Sequence, residues 1–219
     1  MRLARTGNAF HIKVMRILIT GFCAIWFMWG QAVADTIHIL ALGDSLTAGY
    51  GLDPGKSFAD KLQEALRAKG HDIAIINAGV SGDTMAQGAA RLDWALTDDV
   101  KAVIVELGAN DVLRGLAPAQ AETSLRQILD TLKKKKLPTL VLGMLSPANM
   151  GADYQAKFNP IYPKLATEYG ADLYPFFLEG VATKPALNQA DGIHPNEKGV
   201  SEIVGRVVPY VEKLVTKLP

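Results

Sequence analysis

Four short segments of the chain carry side chains that together could perform nucleophilic catalysis. Gly43–Leu46 (GDSL) supplies a hydroxyl, and Ala78–Thr84 (AGVSGDT) is a turn that contains glycine. Gly108–Asp111 (GAND) supplies a carboxamide, and Asp191–His194 (DGIH) supplies a carboxylate and an imidazole. Acyl transfer through a serine requires a hydroxyl, a base with its carboxylate partner and several hydrogen-bond donors. The residue types therefore indicate a serine hydrolase.

Ser45, Asp191 and His194 are the candidate catalytic residues. A serine hydroxyl is a poor nucleophile until a base removes its proton, and a histidine is a suitable base near neutral pH. Asp191 precedes His194 by three residues and could hold the imidazole in one tautomer and stabilise the imidazolium. A second D-x-x-H segment, residues 35–38, begins the first predicted strand at the opposite end of the sheet, so His38 is predicted to be structural.

The tetrahedral intermediate of acyl transfer places negative charge on an oxygen atom, which needs fixed hydrogen-bond donors. The backbone N–H groups of Ser45 and Gly82 and the side-chain amide of Asn110 could supply three. Each residue also has a simpler interpretation, since serine often caps a helix and glycine and asparagine are common in turns. The functional interpretation depends on all four segments following predicted strands, because the carboxyl ends of parallel strands meet at one edge of a sheet.

Segments typical of strands and helices alternate after residue 35. The predicted strands are short, almost continuously apolar runs, which suit a parallel sheet buried on both faces: 36–42, 72–77, 102–107, 139–143 and 171–174. The predicted helices carry apolar residues at helical spacing: 57–69, 84–96, 118–135, 154–169 and 196–217. This alternation predicts one α/β domain with a five-stranded parallel sheet in the order 2-1-3-4-5.

The four segments resemble those of a known family. Gly43–Leu46 matches the GDSL signature, and the serine, glycine, asparagine and histidine named above supply the four letters of the SGNH hydrolases. The resemblance extends over residues 36–215 and is strongest to the bacterial periplasmic branch described as acyl-CoA thioesterase I, lysophospholipase or arylesterase. It implies a three-layer α/β/α domain of flavodoxin-like order. One departure is Ala109, where close relatives often have a second glycine.

The candidate substrate-binding residues are Asp44 and Leu46, on either side of the candidate nucleophile, and Met150 and Tyr154. The last two belong to the segment Leu145–Tyr154 (LSPANMGADY), which with the loop Leu113–Leu116 could form the walls of an acyl groove. Apolar side chains in these segments equally suit ordinary core packing, so both interpretations stay open.

The resemblance implies an esterase without cofactor or metal that hydrolyses carboxylic ester and thioester bonds of acyl lipids or small acyl compounds through an acyl-enzyme. The first alternative is a carbohydrate deacetylase, although an aromatic content of 7% offers few platforms for stacking sugars. The second is a catalytically silent binding module, which the complete set of reactive residues disfavours. The G-x-S-x-G elbow, the P-loop and the H-E-x-x-H motif are not present in the sequence.

The first 34 residues differ from the rest of the chain. They contain four basic and no acidic residues, the apolar run Ile17–Gly30 and an A-x-A site that ends at Ala34. These are the parts of a secretory signal peptide, and the run is shorter than the ~18 residues of a membrane-spanning anchor. We predict a signal peptide over residues 1–34, a hydrolase domain over residues 35–219 and a periplasmic or secreted location. Met15 is an alternative start of the leader.

The whole chain has 219 residues with 23 Lys+Arg, 22 Asp+Glu and one cysteine, Cys23, which lies in the leader. Without the leader, 19 basic and 22 acidic residues give a net charge of −3, and no cysteine remains. This excludes a disulfide scaffold and a thiol nucleophile, and it disfavours a nucleic-acid partner. We expect the mature domain to act as a monomer on a small-molecule or lipid ester, without stable membrane insertion.

Overall fold

A computed structural model describes residues 36–218, so the predicted signal peptide lies outside the described residues. Five parallel strands form one sheet: β1 Ile37–Gly43, β2 Ile73–Gly79, β3 Val100–Glu106, β4 Thr139–Leu142 and β5 Asp172–Tyr174. Their order in the sheet is β2-β1-β3-β4-β5, which confirms the predicted order. All pairs of neighbouring strands are parallel, because a helical segment separates each strand from the next along the chain.

The helices cover the two faces of the sheet. Helix α2 packs against α8, and α3 packs against α5, which also contacts α6 and α7. This arrangement is the predicted three-layer α/β/α domain. The bounds are α1 Ser45–Ala48, α2 Phe58–Ala68, α3 Met85–Ala95, α4 Ala109–Leu113, α5 Pro118–Lys134, α6 Ala152–Phe158, α7 Ile161–Tyr169 and α8 Glu197–Val215.

The core lies on both faces of the central strands. Residues 39–42 of β1 and 102–105 of β3 are each at most 1% exposed. Burying a Leu, Ile or Val side chain contributes ~1.5–3 kcal/mol, so these two runs stabilise the centre of the sheet strongly. In the described residues, no helix is both long enough and apolar enough to cross a membrane.

Side-chain caps fix where α2, α3 and α8 begin. Ser57 and Asp60 form a capping box at α2, and Thr84 and Gln87 form one at α3. Asn196 accepts hydrogen bonds from two backbone N–H groups at the start of α8. Each cap satisfies N–H groups that the helix itself leaves without a partner, and losing one costs ~1 kcal/mol. The starts of α2 and α3 therefore follow directly from the local sequence.

The single helix predicted over residues 154–169 is wrong, because the chain forms two helices there, α6 and α7. Pro160 lies between them, and a proline has no N–H with which to continue the hydrogen bonding of a helix. Asn159 ends α6 and its side-chain oxygen accepts a hydrogen bond from Ser146 N at 2.9 Å. The break thus anchors the loop that follows β4.

The register of the sheet brings the ends of three strands together. Gly43, the last residue of β1, pairs with Gly79 of β2 and with Glu106 of β3. At Gly79 a Cβ atom would lie 2.4 Å from the backbone nitrogen of Ala48, so only glycine lets α1 pass this close to β2. The segments that follow these strands are therefore neighbours, as the sequence predicted.

Candidate active site

Ser45, His194 and Asp191 form a continuous hydrogen-bonded chain at the carboxyl edge of the sheet. Ser45 Oγ lies 2.9 Å from His194 Nε2, and His194 Nδ1 lies 2.7 Å from Asp191 Oδ2. Ser45 and His194 are 149 positions apart in the sequence, so the fold alone creates this contact. A base within hydrogen-bond reach of a hydroxyl, and itself oriented by a carboxylate, is the arrangement that activates a serine.

The loop before α8 fixes the position of the Asp191 carboxylate. Its Oδ1 atom accepts hydrogen bonds from the backbone N–H groups of Ile193 and His194, both at 3.0 Å. These backbone hydrogen bonds and the contact with the His194 ring lower the pKa of Asp191 to about 2. The carboxylate therefore stays ionised although its side chain is 37% exposed, and it can hold the Nδ1–H tautomer of the imidazole.

A tight turn after β1 places Ser45 at the first position of α1. Asp44 caps this helix, because its Oδ1 atom accepts a hydrogen bond from Leu46 N at 2.9 Å. Gly49 ends the helix after one turn in the left-handed conformation, with φ of 84°. The backbone N–H of Ser45 thus projects from a helix start, where fixed partial positive charge favours a neighbouring anion.

The three residues predicted to supply oxyanion donors belong to one cleft. Ser45, Gly82 and Asn110 all line the same cleft. Within the described residues, no protein acceptor is recorded for the backbone N–H of Ser45 or of Gly82. Both groups can therefore donate to a substrate oxygen. Gly82 has a φ of 90°, in the left-handed region that side chains rarely adopt, so this turn strongly favours glycine.

The Asn110 amide is held by two acceptors. Its Nδ2 atom donates to the backbone oxygen of Asp83 at 3.0 Å and to Asp44 Oδ2 at 3.2 Å. Arg91 reinforces this region by donating to the Asp83 carboxylate at 2.6 Å and to the Gly43 carbonyl at 2.9 Å. The amide plane is therefore fixed before any substrate arrives, which is the condition for effective stabilisation of an oxyanion.

A cleft of about 630 Å³ opens beside Ser45 and His194. Apolar side chains from the ends of several elements form most of its wall: Leu46, Val112, Leu113, Met144, Leu145, Phe176, Leu178 and Ile193. Tyr50 packs against the imidazole of His194, with ring centroids 4.7 Å apart. In the described residues, no group of three or more His, Cys, Asp or Glu side chains is arranged to hold a metal ion.

The cleft contains only one of the four predicted substrate-binding residues, Leu46. Asp44 is fully buried below α1, and neither Met150 nor Tyr154 belongs to the cleft wall. The Tyr154 hydroxyl instead donates to Leu116 O at 2.8 Å, and its ring stacks on Phe158. These three residues therefore lie outside the cleft wall: Asp44 is buried, and Met150 and Tyr154 are partly buried against the core.

Sequence reasoning missed much of the cleft wall. Phe176, Leu178 and Ala182 follow β5, in a segment whose apolar residues show no helical or strand spacing. Tyr50 lies five residues after the candidate nucleophile and was available as a signal, because an aromatic residue so close to a reactive serine must lie near it. The loop Leu113–Leu116 was predicted as a wall, and its first residue lines the cleft.

Known proteins are similar to this chain in sequence and in fold. The model of the GDSL-like Lipase/Acylhydrolase family matches residues 41–201, a range that includes every residue that lines the cleft. The chain belongs to this family. Esterase TesA of Pseudomonas aeruginosa is 38% identical over 200 residues, which cover 91% of this chain and 98% of that protein.

Two further relatives support the same assignment. Thioesterase 1/protease 1/lysophospholipase L1 of Escherichia coli K12 is 42% identical over 185 residues, covering 84% of this chain and 86% of that protein. The crystal structure of AlinE4, an SGNH-hydrolase family esterase, matches with a TM-score of 0.70 and 51% identity, covering 81% of this chain and 96% of that one. This GDSL-family chain is a serine esterase.

Replacing Asn110 with alanine is expected to lower kcat by about 10²- to 10³-fold with little change in KM, because one oxyanion donor contributes ~2.7–4 kcal/mol to the transition state. The check is steady-state hydrolysis of a p-nitrophenyl ester. Asn149→Ala is the matched control, since Asn149 is exposed and is not part of the cleft wall. Equal kcat values in the two variants would remove Asn110 from the proposed oxyanion hole.

Proposed function

We propose that this esterase hydrolyses carboxylic esters and thioesters of acyl compounds, including single-chain lipids, with Ser45 as nucleophile, His194 as general base and acid, and Asp191 as the residue that orients the base. The observation that carries the proposal is the Ser45–His194–Asp191 chain, with distances of 2.9 and 2.7 Å, at the wall of an apolar cleft.

Acylation begins when Ser45 Oγ attacks the carbonyl carbon of the substrate. Its proton moves to His194 Nε2, while the Nδ1–H of the ring donates to the Asp191 carboxylate and so stabilises the imidazolium. The carbonyl oxygen becomes an anion as the tetrahedral intermediate forms. When that intermediate collapses, His194 Nε2 returns the proton to the departing alcohol or thiol, and the acyl group remains on Ser45.

Deacylation repeats these steps with water as the nucleophile. A water molecule attacks the acyl carbonyl, His194 Nε2 removes its proton, and collapse of the second intermediate returns a proton to Ser45 Oγ. The carboxylic acid then leaves the cleft. The same donors serve both steps, because each intermediate places its negative charge on the same carbonyl oxygen.

The oxyanion would lie between the free N–H groups of Ser45 and Gly82 and the amide of Asn110. Among residues 36–218, the first two have no recorded protein acceptor. The third already donates to Asp44 Oδ2 at the long distance of 3.2 Å, so this N–H can be shared with a substrate oxygen. Hydrogen bonds in unliganded sites often tighten or exchange partners only in the transition-state complex.

The shape and polarity of the cleft favour acyl substrates. Its wall is mainly aliphatic and aromatic, and its mouth carries the exposed side chains of Tyr50, Leu113, Leu145 and Ile193. An apolar acyl chain loses little by entering such a site, whereas a sugar would leave its hydroxyl groups without partners. The names of the relatives, which include thioesterase, lysophospholipase and arylesterase, support the same substrate classes.

A panel of substrates tests this function. Purified protein is expected to cleave p-nitrophenyl esters with kcat/KM that rises from acetyl to medium acyl chains, and to cleave a lysophospholipid and an acyl thioester. Preference for the acetyl ester would instead indicate a deacetylase. No hydrolysis of any member of the panel would contradict the proposed function.

Narrowing the cleft is expected to change chain-length preference. Ala182→Phe should lower kcat/KM for long acyl esters by about 10-fold or more and leave the acetyl ester within about 2-fold, because losing room for one methylene already costs ~1–3 kcal/mol. Ala186→Phe is the matched control, since Ala186 is exposed and is not part of the cleft wall. An equal loss for every chain length would place Ala182 outside the acyl site.

We also propose that the chain is exported and processed after Ala34, and that the mature domain is a monomer with no nucleic-acid partner. The basic start, apolar run and A-x-A site of residues 1–34 support export. Amino-terminal sequencing of protein from the periplasm or medium is expected to begin at Asp35, and light scattering is expected to give the mass of a monomer. A start upstream of Asp35 would contradict the cleavage site.

A further inference from the structure

Two carboxyl groups lie buried directly below the Ser45 turn. Asp44 is 0% exposed and Glu106 is 1% exposed. Glu106 is the last residue of β3 and pairs in register with Gly43, the last residue of β1, so its position at the turn is fixed by the sheet. An acidic residue in the centre of a buried parallel sheet is rare unless it is paired. Neither acid belongs to the proposed Ser45–His194–Asp191 triad.

Three of the four carboxyl oxygens of this pair have a donor. Asp44 Oδ1 accepts from Leu46 N at 2.9 Å, and Asp44 Oδ2 accepts from Asn110 Nδ2 at 3.2 Å. Glu106 Oε2 accepts from the Thr47 hydroxyl at 2.8 Å. The fourth, Glu106 Oε1, is the buried side-chain oxygen in the described residues for which no donor is recorded.

Neighbouring polar groups do not neutralise the pair. The guanidinium of Arg91 binds the Asp83 carboxylate and the Gly43 carbonyl, and the Tyr162 hydroxyl donates to Leu107 O. The carboxylate of Asp111 accepts from Met85 N. His194, which faces the pair from the loop before α8, is already engaged with Ser45 and Asp191.

Two adjacent buried carboxyl groups do not both ionise, because each charge loses hydration and repels the other. Burial raises the pKa of Asp44 to about 6 and raises that of Glu106 well above its usual range, with the neighbouring Asp44 charge adding to the effect. Hydrogen bonding between the two side chains stabilises the ionised form of Asp44 and the neutral form of Glu106. The pair therefore holds one proton between its two carboxyl groups, and Glu106 Oε1, the one of their four oxygens with no recorded donor, is the atom placed to carry it.

We propose that Glu106 is a positioning residue of this active site. Its neutral carboxyl donates a hydrogen bond to the Asp44 carboxylate and so holds Asp44 in place. Asp44 in turn is the acceptor that orients both the Ser45 turn and the Asn110 amide. The inference rests on the proposed function, since it assigns a role in the same site. It also accounts for Glu106 Oε1, because a protonated oxygen needs an acceptor, which Asp44 supplies, instead of a donor.

The proton on Glu106 limits the negative charge below the turn to one. A second charge there would oppose the oxyanion that forms beside Ser45, because like charges repel strongly in a buried site. Asp44 without the hydrogen bond from Glu106 would also hold the Asn110 amide more strongly, since that hydrogen bond draws part of the Asp44 charge away from the amide. With one charge, Asp44 is a strong enough acceptor to fix the amide and weak enough to share it. The expected effect of Glu106 is therefore on kcat and not on KM.

The test compares an apolar with an amide replacement. Glu106→Leu removes the hydrogen bonds to Asp44 and Thr47, and we expect kcat to fall about 10- to 100-fold with KM within about 2-fold, because the Asn110 amide is no longer fixed. Glu106→Gln can donate to Asp44 and accept from Thr47, and we expect it to restore most of the lost kcat. A Gln variant as slow as the Leu variant would overturn the proposal.

Infrared spectroscopy detects the proton on Glu106 by a signal that does not depend on catalytic activity. Unmodified protein at neutral pH is expected to show the carbonyl band of a protonated carboxylic acid, and Glu106→Gln is expected to lose this band. The proposal would be overturned if the band persisted in that variant or if the unmodified protein lacked it. The band should remain in Ser45→Ala even though the activity is lost, so failure of the proposed function is distinguishable from failure of this inference. If Glu106→Leu does not fold, the kcat of Glu106→Gln and the infrared band still test the proposal.

Asp172→Asn is the matched control for removing a buried acid. Asp172 is 7% exposed, begins β5 at the opposite edge of the sheet and binds Lys213 and Lys217. We expect this variant to lower the melting temperature without changing kcat. A fall in kcat equal to that of Glu106→Leu would show that loss of stability explains both results, and it would overturn the proposal.

Discussion

Replacing Ser45 with alanine is expected to lower kcat by about 10⁶-fold for every ester in the panel, because the covalent route through the acyl-enzyme is lost. KM should change little, since the apolar cleft remains intact. The check is hydrolysis of a medium-chain p-nitrophenyl ester at high enzyme concentration. A burst of p-nitrophenol equal to the amount of enzyme should be seen with unmodified protein and should disappear in the variant.

The same reasoning predicts that Ser45 and His194 act as a unit. His194→Ala alone should cost about as much as Ser45→Ala, and the double variant should cost little more, because either change removes the activated nucleophile. Ser201→Ala is the matched control, since Ser201 is an exposed serine on α8 whose hydroxyl donates to a backbone carbonyl of its own helix. Additive losses in the double variant would mean that the two residues act in separate steps.

The predicted catalytic residues came together because each follows a strand of a parallel sheet. Once alternating strands and helices predict such a sheet, the carboxyl ends of the strands must share an edge, and the chemistry of Ser45, Asn110 and His194 can be read at that edge. The exact distances required the structure, since they depend on the register that pairs Gly43 with Gly79 and Glu106.

Residues in irregular segments were less predictable. The residue types of Met150 and Tyr154 gave no indication of where their side chains lie. Both pack against the core, and the Tyr154 hydroxyl donates to Leu116 O in the loop after α4. Phe176 and Leu178 line the cleft although their segment has no regular period. Local periodicity predicts the buried face of a helix or strand, but only tertiary packing decides the direction of a side chain in a loop.

Glu106 shows a third limit on what a single sequence can predict. Its sequence context, AVIVEL, places an acid at the end of an otherwise apolar strand, and the residue was visible as an exception. Its partner, Asp44, is 62 positions away and meets it only because β1 and β3 are neighbours in the sheet. The role of a buried acid depends on the groups around it, which a single sequence does not pair.

Replacing Asp191 with asparagine is expected to lower kcat by about 10⁴-fold while leaving the fold and KM nearly unchanged. Asparagine can keep the two hydrogen bonds that Oδ1 accepts from the Ile193 and His194 backbone, so the loop should hold its shape. Its amide group, however, would donate to Nδ1 of the imidazole. The ring would then carry its proton on Nε2, facing Ser45, and could not accept the proton of the serine hydroxyl.

Comparison with Asp191→Ala separates two roles of Asp191, which are to fix the tautomer of His194 and to anchor the loop before α8. Alanine leaves Nδ1 free to bind water, so the productive tautomer stays accessible, and we expect a smaller loss of kcat than in the asparagine variant. Asp153→Asn, an exposed acid on α6, should not change kcat. A larger loss in the alanine variant than in the asparagine variant would mean that Asp191 acts mainly by anchoring the loop.

The acid limb of the pH profile provides a further check on Asp191. Its pKa is lowered to about 2, so the carboxylate is ionised well below the range in which a histidine titrates. Its contribution to folding is present above the unfolded pKa of roughly 3.9 and is lost only as the pH falls through the folded value. Activity lost between roughly pH 4 and 7 must therefore report a group other than Asp191, and an acid limb in that range that persists in Asp191→Asn, at its lower kcat, would agree with this assignment.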